Sequence, residues 1–317
     1  MSILSRPYFH DETEAFRFVE GIIWPQGPVC PHCGAMDRLT TVKANPEKRI
    51  RHGLHRCGHC KGQFTVRMGT IFEESKLPLT KWLQAIFLMC SSKKGVSAHQ
   101  LGRTLEVTYK TAWFLAHRVR EAMRSGELAP FGQGGGDVEV DETFIGRDPS
   151  EPVGLGGANH KMKVVTLVDR STGAARSHHV EFINVKVVAK IVTDNIASEA
   201  RLLTDEARHY TKIGRTFAAH GTTVHARNQY VSREDPTIHT NTIEGFFSIF
   251  KRGMRGVYQH CGKQHLHRYL AEFDFRYSNR IALGCDDTTR AVRALQGVVG
   301  KRLTYRRPDG DAQGAQA

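Results

Sequence analysis

Two short motifs constrain this chain more than anything else in it: Cys30-Pro31-His32-Cys33 and Cys57-Gly58-His59-Cys60. Each Cys-x-x-Cys turn aims two thiolates at one point, and two such turns supply the four sulfurs of a closed tetrahedral zinc shell. A closed shell leaves no position for substrate, so this reads as a zinc ribbon whose ion is structural. Gly34, Gly58 and Gly62 permit the tight knuckles the turns need. The spacer between the pairs is slightly longer than the usual ~15–20 residues. Its excess holds the basic run Lys48-Arg49-Ile50-Arg51-His52, placed to meet phosphates. The rival readings are a redox pair, or His32 and His59 as ligands in place of cysteines. Seven cysteines, four of them in close pairs, point to a reducing compartment rather than a disulfide framework. Cys90, Cys261 and Cys285 are then ordinary packed thiols.

The formal net charge is +13 with a sequence pI near 9.6. The apolar content is that of a folded protein, so the surplus Lys and Arg indicate a polyanionic partner, nucleic acid first. No apolar run reaches the ~18 residues of a membrane helix, and Asp11, Glu12 and Glu14 behind Met1 do not form a signal peptide. The expectation is a cytoplasmic, nucleoid-associated protein with no membrane partner. At 317 residues the chain exceeds the ~250–300 at which single cores stop growing, so several modules are expected.

From Leu79 the pattern turns helical, with Trp82, Leu83, Ile86, Phe87 and Met89 as a core stripe. Two further helices follow, Val96–Leu105 and Thr108–Met123, separated by Glu106-Val107, with Ser97 and Thr108 able to cap them. This resembles a helix-turn-helix. Its second helix carries Tyr109, Lys110, Thr111, His117, Arg118 and Arg120, polar enough to enter a major groove.

Gly132-Gln133-Gly134-Gly135-Gly136 reads as a flexible joint that opens a new domain. Beyond it, Val138–Phe144, Lys163–Asp169 and Ala174–Phe182 alternate as three strands of an antiparallel meander, with a turn at Arg170–Gly173. A helix bearing Val185, Val188, Ile191 and Val192 leads to a fourth strand, Ala200–Asp205. Strand, strand, strand, helix, strand, with acids on the first and fourth strands, is the pattern of a ribonuclease-H-like fold. A later helix carries Leu266, Tyr269, Leu270, Phe273 and Tyr277, with Arg268, Arg276 and Arg280 available for phosphates, and the residues from about Arg306 onward look disordered.

The expected class is therefore α+β, a mixed sheet with flanking helices behind a zinc ribbon and a helix-turn-helix. The expected division is 1–76 for the ribbon, 77–131 for the helical DNA-binding domain, 137–283 for the catalytic domain and 284–317 for a C-terminal tail.

Phosphodiester transfer needs a nucleophilic oxygen activated and a leaving oxygen stabilised, which two Mg²⁺ or Mn²⁺ ions held by hard oxygen ligands can do. Three carboxylates crowded together make sense chiefly where such cations bind. Asp141 on the first strand and Asp205 at the end of the fourth supply two. In His239–Arg252, a helix would set Asn241, Glu244, Ser248 and Lys251 on one face. Glu244 would complete the set while Lys251 and Arg252 grip the DNA backbone. Asn241 and Glu244 also have the spacing of a capping box with Asn241 as N-cap, which alone would explain the glutamate. Glu139, Glu142 and Asp169 are expected to be solvated or turn carboxylates. His225 and His239 could position water or phosphate, although histidines are more often surface or packed residues. His160–Lys163 could touch DNA, though charges before a strand usually face water.

With these residues in view the chain resembles DDE-type insertion-sequence transposases with an N-terminal zinc ribbon, bacterial relatives of the Merlin elements. The likeness rests on the paired cysteine turns, Val140-Asp141-Glu142-Thr143, Thr204-Asp205-Glu206, His239–Gly245, Lys251-Arg252-Gly253 and Glu272-Phe273 through Arg280, nearly the whole chain. The resemblance implies cleavage at terminal inverted repeats and attack of the freed 3′-hydroxyl on target DNA. It maps the first two acids to Asp141 and Asp205, and the third to Glu244 or, with Lys251 assisting, to Asn241. Glu244 ranks first because a carboxylate binds Mg²⁺ better than a neutral amide. Double-stranded DNA is the implied partner, met by Lys110, Arg118, Lys251 and Arg252, with a homodimer or higher oligomer to join two ends. The competing classes are a non-catalytic DNA-binding regulator and a ribonuclease-H-like nuclease.

Overall fold

The structure, a computed structural model, describes residues 2–45, 47–124, 126, 129–152, 158, 160–223 and 231–303. The chain forms two compact units, one of residues 1–86, 98–122 and 294–317, the other of 87–97 and 123–293. No described helix is long and apolar enough to cross a membrane.

In the first unit, Asp11 caps helix α1 (Glu12–Ile23) by accepting from Glu14 N at 2.8 Å, and Ala15, Phe16 and Val19 form its buried stripe. Strands β1 (Leu39–Val42), β2 (Leu54–Cys57) and β3 (Gln63–Phe64) pair antiparallel. Trp24 meets the rings of His55 and Phe64 edge-on beside Cys30 and Cys57, the small core of this sheet. Helix α2 (Leu79–Ser91) buries the stripe read from the sequence. Its first amides, Leu79 and Thr80, are satisfied by the Glu12 carboxylate at 2.7 and 3.1 Å.

Helices α3 (Ala98–Leu105) and α4 (Tyr109–Met123) are joined by the expected short turn, with Thr108 Oγ1 accepting from Thr111 N at the start of α4. The expectation that α4 offers its whole polar side to a groove is overturned. Tyr109 and Lys110 are exposed, but His117, Arg118 and Arg120 are buried. Arg118 places its guanidinium over the rings of Trp82 and Phe114 at 5.6 and 5.5 Å and donates to Glu73 O at 2.7 Å. Its long stem and planar head suit a packed, cation-π role, so Arg118 is a structural residue.

The second unit is built on a five-stranded sheet of order β6-β5-β4-β7-β8. Strands β4 (Asp137–Ile145), β5 (Met162–Asp169) and β6 (Ala175–Val180) form the antiparallel meander. After helix α5 (Val185–Asn195), β7 (Arg201–Thr204) returns parallel to β4 on its other side. Helix α6 (Tyr210–Ile213) and β8 (Ala219–Thr222), parallel to β7, follow. This is the ribonuclease-H-like mixed sheet. One face of β4, with Val138 and Val140, packs on Val188 and Val192 of α5. The opposite face, with Ile145, packs on helices α7 (Asn241–Gly253) and α8 (Leu266–Ser278) through Ile243, Phe246, Phe250, Leu270 and Phe273.

The glycine-rich stretch is not a loose joint. Gly132 N donates to Asp169 Oδ2 at 2.9 Å, and its φ of +71° and the 2.4 Å that would separate a Cβ from Ala200 Cβ make it a packed turn only glycine can occupy. Low side-chain volume here serves close approach instead of freedom. In the stretch expected as a tail, Asp287–Gln296 form helix α9. The residues from Arg306 onward, and His225, lie outside the described residues.

Candidate active site and metal centre

The ribbon cysteines converge. Their sulfurs all lie within 4.8 Å of one another, with Cys30–Cys60 and Cys33–Cys57 each at 3.7 Å. Four sulfurs ~2.3 Å from a central zinc stand about 3.8 Å apart at tetrahedral geometry, so the set fits a structural Zn²⁺ in both donor chemistry and size. Backbone N–H groups of Cys60 and His59 point at the Cys57 sulfur and lower its thiol to about 6, while the adjacent Cys33 thiol is pushed up to about 12, so crowded sulfurs without a cation do not all ionise together. The two histidines are engaged elsewhere, His32 with Gln63 O at 3.3 Å and His59 with Asp37 at 2.9 Å, which leaves the cysteines as the ligand set. The basic run of the spacer lies at the end of the β1–β2 hairpin, with Lys48, Arg49 and Arg51 exposed.

In the second unit, pairing of β4 with β5 is unbroken from Val138↔Asp169 to Ile145↔Met162. Regular alternation therefore holds through Asp141, which shares the α7 face with Glu139 and Ile145. The β4–β7 register runs Val138↔Leu202, Glu139↔Leu203; continued past the end of β7, it sets Asp205 beside Asp141. Asp205 Oδ1 accepts from Ala207 N at 3.0 Å, which turns the chain just after the strand. Glu244 stands in the first turn of α7 and accepts from Thr240 Oγ1 at 3.2 Å. Thr240 is the N-cap residue, so Asn241 is the first residue inside the helix, exposed, and the capping box with Asn241 as N-cap is not formed.

Asp141 feels the charges of the acids around it. Asp141 is pushed up to about 8, first by burial, then by the charge of Glu142, with Asp205 and Glu244 adding to the rise. Its Oδ1 accepts from Glu142 N at 2.7 Å, which works the other way. Lys251, three turns along α7, is lowered by burial while the Asp141 charge opposes the shift. It lies 5.7 Å over the Phe247 ring. Arg252 is exposed and folds back on Ser248, donating to its carbonyl at 3.0 Å. Among the described residues only the cysteines reach ligand-like convergence within 4.8 Å. Half-buried and offering only oxygen, Asp141, Asp205 and Glu244 are a donor set of the kind Mg²⁺ or Mn²⁺ takes.

Two glutamates expected to be solvated are corrected by the structure. Glu139 is fully buried: Oε2 accepts from Ile243 N at 2.7 Å and Oε1 from Arg170 Nε at 2.6 Å, with His239 Nδ1 at 3.4 Å. It satisfies an orphan amide of α7 one residue before Glu244, from a strand position two residues before Asp141. The signal was in the alternation, which puts Glu139 on the same face as Asp141. Glu142, on the opposite face, accepts from His209 at 2.6 Å and Tyr210 OH at 2.5 Å and holds the His209 imidazole above its usual range. Asp169 is the turn carboxylate it was expected to be, accepting from Thr172 N at 2.9 Å. His239 is packed against Arg170 at 2.7 Å, and Arg276, expected to be available for phosphate, is buried.

A ribonuclease-H-like sheet bearing Asp141, in a chain that also carries a four-cysteine ribbon, is the make-up of a DNA-processing enzyme. Comparison with known proteins agrees. Residues 133–278 match the ISXO2-like transposase domain and residues 10–63 the transposase zinc-ribbon domain. An uncharacterised protein in the transposable element ISH50 of Halobacterium salinarum is 28% identical over 292 residues, 84% of this chain and 91% of that protein. A chain of the simian T-cell lymphotropic virus intasome, solved in complex with PP2A regulatory subunit B56 gamma, aligns with 55% of this chain at a TM-score of 0.30 and 14% identity. This chain spans 63% of that one, a likeness too slight to build on. The chain thus carries a transposase zinc-ribbon domain followed by an ISXO2-like transposase domain, the make-up of an insertion-sequence DNA transposase.

Proposed function

We propose that this transposase binds the terminal inverted repeats of an insertion sequence, cleaves DNA strands there and joins the freed 3′-hydroxyls to target DNA. Asp141, Asp205 and Glu244 hold the divalent cations, Mg²⁺ or Mn²⁺. When bound, a pair of such ions activates the attacking oxygen and stabilises the leaving one. The observation that carries this reading is the strand register, which continued past β7 brings Asp205 beside Asp141, with Glu244 in the first turn of α7 near enough for its charge to act on Asp141. Glu244 is favoured over Asn241 because its charge reaches Asp141, whereas Asn241 is exposed at the first position of α7. Lys251, within the field of Asp141, steadies the DNA phosphate, with Arg252 and Lys110 as further backbone contacts. Two DNA ends must be joined at once, so the working form is a dimer or larger assembly on DNA.

The test uses labelled duplexes ending in the sequences that flank the gene, with a target plasmid and Mg²⁺ or Mn²⁺. Asp141→Asn, Asp205→Asn and Glu244→Gln are each expected to abolish cleavage and joining while end binding stays near wild type. Unchanged cleavage by either aspartate variant refutes the assignment. Hydrolysis without joined product identifies a nuclease, and binding without either reaction a regulator.

A further inference from the structure

The second unit contains a cavity of about 470 Å³ that the reaction above does not use. Phe246 and Ile249 of α7 and Phe273 and Tyr277 of α8 form its apolar wall, with the exposed Ile281 beside them. Lys93, Arg276 and Arg280 line it as well. Arg280 stacks over the Tyr277 ring at 4.1 Å. Arg276 is only 6% exposed, and while its Nη1 meets Glu272 at 2.6 Å, its Nε and Nη2 have no hydrogen-bond partner. Asp287, also on the wall, is neutralised by Arg290 at 2.7 Å.

Aromatic walls alone accept any apolar guest, and cations alone any anion. A nucleotide combines a flat π-face with a phosphate, and a buried guanidinium with donors to spare favours the anion. The volume lies within the roughly 300–1,000 Å³ of ligand-sized pockets. Gly245 on the cavity wall directly follows Glu244, so cavity and acid set share one turn of α7. We propose that this cavity receives one unstacked nucleotide of the bound DNA, its base among Phe246, Phe273 and Tyr277 and its phosphate beside Lys93 and Arg280. The site rests on the DNA-processing reading and adds to it a place where a base leaves the duplex, a cost the stacking wall offsets.

Gly245 supplies the test, because a Cβ there meets nothing within 4 Å and its φ lies outside the left-handed range. Gly245→Leu fills the cavity without backbone strain and with better helix propensity. Full-length protein without divalent cation is titrated with duplexes of the flanking sequence, intact or carrying one abasic site at successive positions. The variant is expected to bind the intact duplex roughly tenfold more weakly, the scale of losing one base stack, and to regain wild-type affinity at one abasic position. Gly245→Ala should behave as wild type. Lys93→Ala, at an exposed position, should weaken binding to the intact duplex even if the leucine variant misfolds. Wild-type affinity in both variants, or a loss in Gly245→Leu that no abasic position restores, overturns the proposal. Wild-type protein that binds no flanking DNA overturns the DNA reading with it. A rescue pattern in a protein that cannot join strands removes only the transposition chemistry.

Discussion

Glu139 and Asp141 sit two residues apart on one face of one strand, yet the fold uses them oppositely. Glu139 is compensated by an amide and a guanidinium, so it is a joint between β4 and α7. Removing one partner of such a buried pair costs about 3–5 kcal/mol. Glu139→Ala should therefore lower the unfolding free energy in urea by about that amount, and a loss under 1 kcal/mol would show the joint to be unimportant. Asp141 is instead buried among like charges, Glu142 first, with Asp205 and Glu244 adding to it. Its folded value near 8 lies above the ordinary carboxylate value of 3.8, so the folded state holds the proton more tightly than the unfolded one. Metal-free stability from this group is then intact below about pH 4 and declines as pH rises toward 8. Asp141→Asn should flatten that decline, and Mg²⁺ should raise the melting temperature of the wild type at pH 8 more than that of the variant. Equal Mg²⁺ shifts in thermal melts of both proteins would contradict the cation site.

At the scale of an element, α4 shows how a helix polar by composition divides its roles. The first turn is exposed with Lys110, whereas Arg118, two turns on, is covered by Trp82, Phe114 and the Glu73 carbonyl. Lys110→Ala should leave the melting temperature unchanged, weaken DNA binding and reduce the slope of log K against log salt by about one phosphate contact, ~0.9. Arg118→Ala should lower the melting temperature first. A variant of Arg118 that melts like wild type but loses DNA binding would restore its role in the groove. Helix α7 divides in the same way, with Ile243, Phe246, Phe247 and Phe250 in the core and Glu244, Ser248 and Lys251 half-buried on the other side.

At the scale of the whole molecule, the ribbon and the sheet unit are held by different devices. The ribbon core is three small strands and a few rings around Cys30 and Cys57, too little apolar area to stand without its metal. Zinc chelation should release one ion per chain and shift the emission of Trp24 to the red, since that ring packs on His55 and Phe64. Retained emission after complete zinc removal would show the ribbon to be self-supporting. The sheet unit has apolar cores on both faces of its sheet.

What the sequence determined by itself was whatever depends on neighbours along the chain. Thiolate spacing singled out the four cysteines, with His32 and His59 as rivals, alternation located the strands of the meander, and the cap at Thr108 marked the start of α4. The order of acids on strands also made the sheet topology legible. Tertiary structure alone decided what covers each side chain: that Glu139 and Arg118 are buried, that the glycine run is a packed turn, and that β4 stays regular through Asp141. Burial is set by elements arriving from distant parts of the chain, and a charged residue carries no local mark of whether water or a partner will meet it.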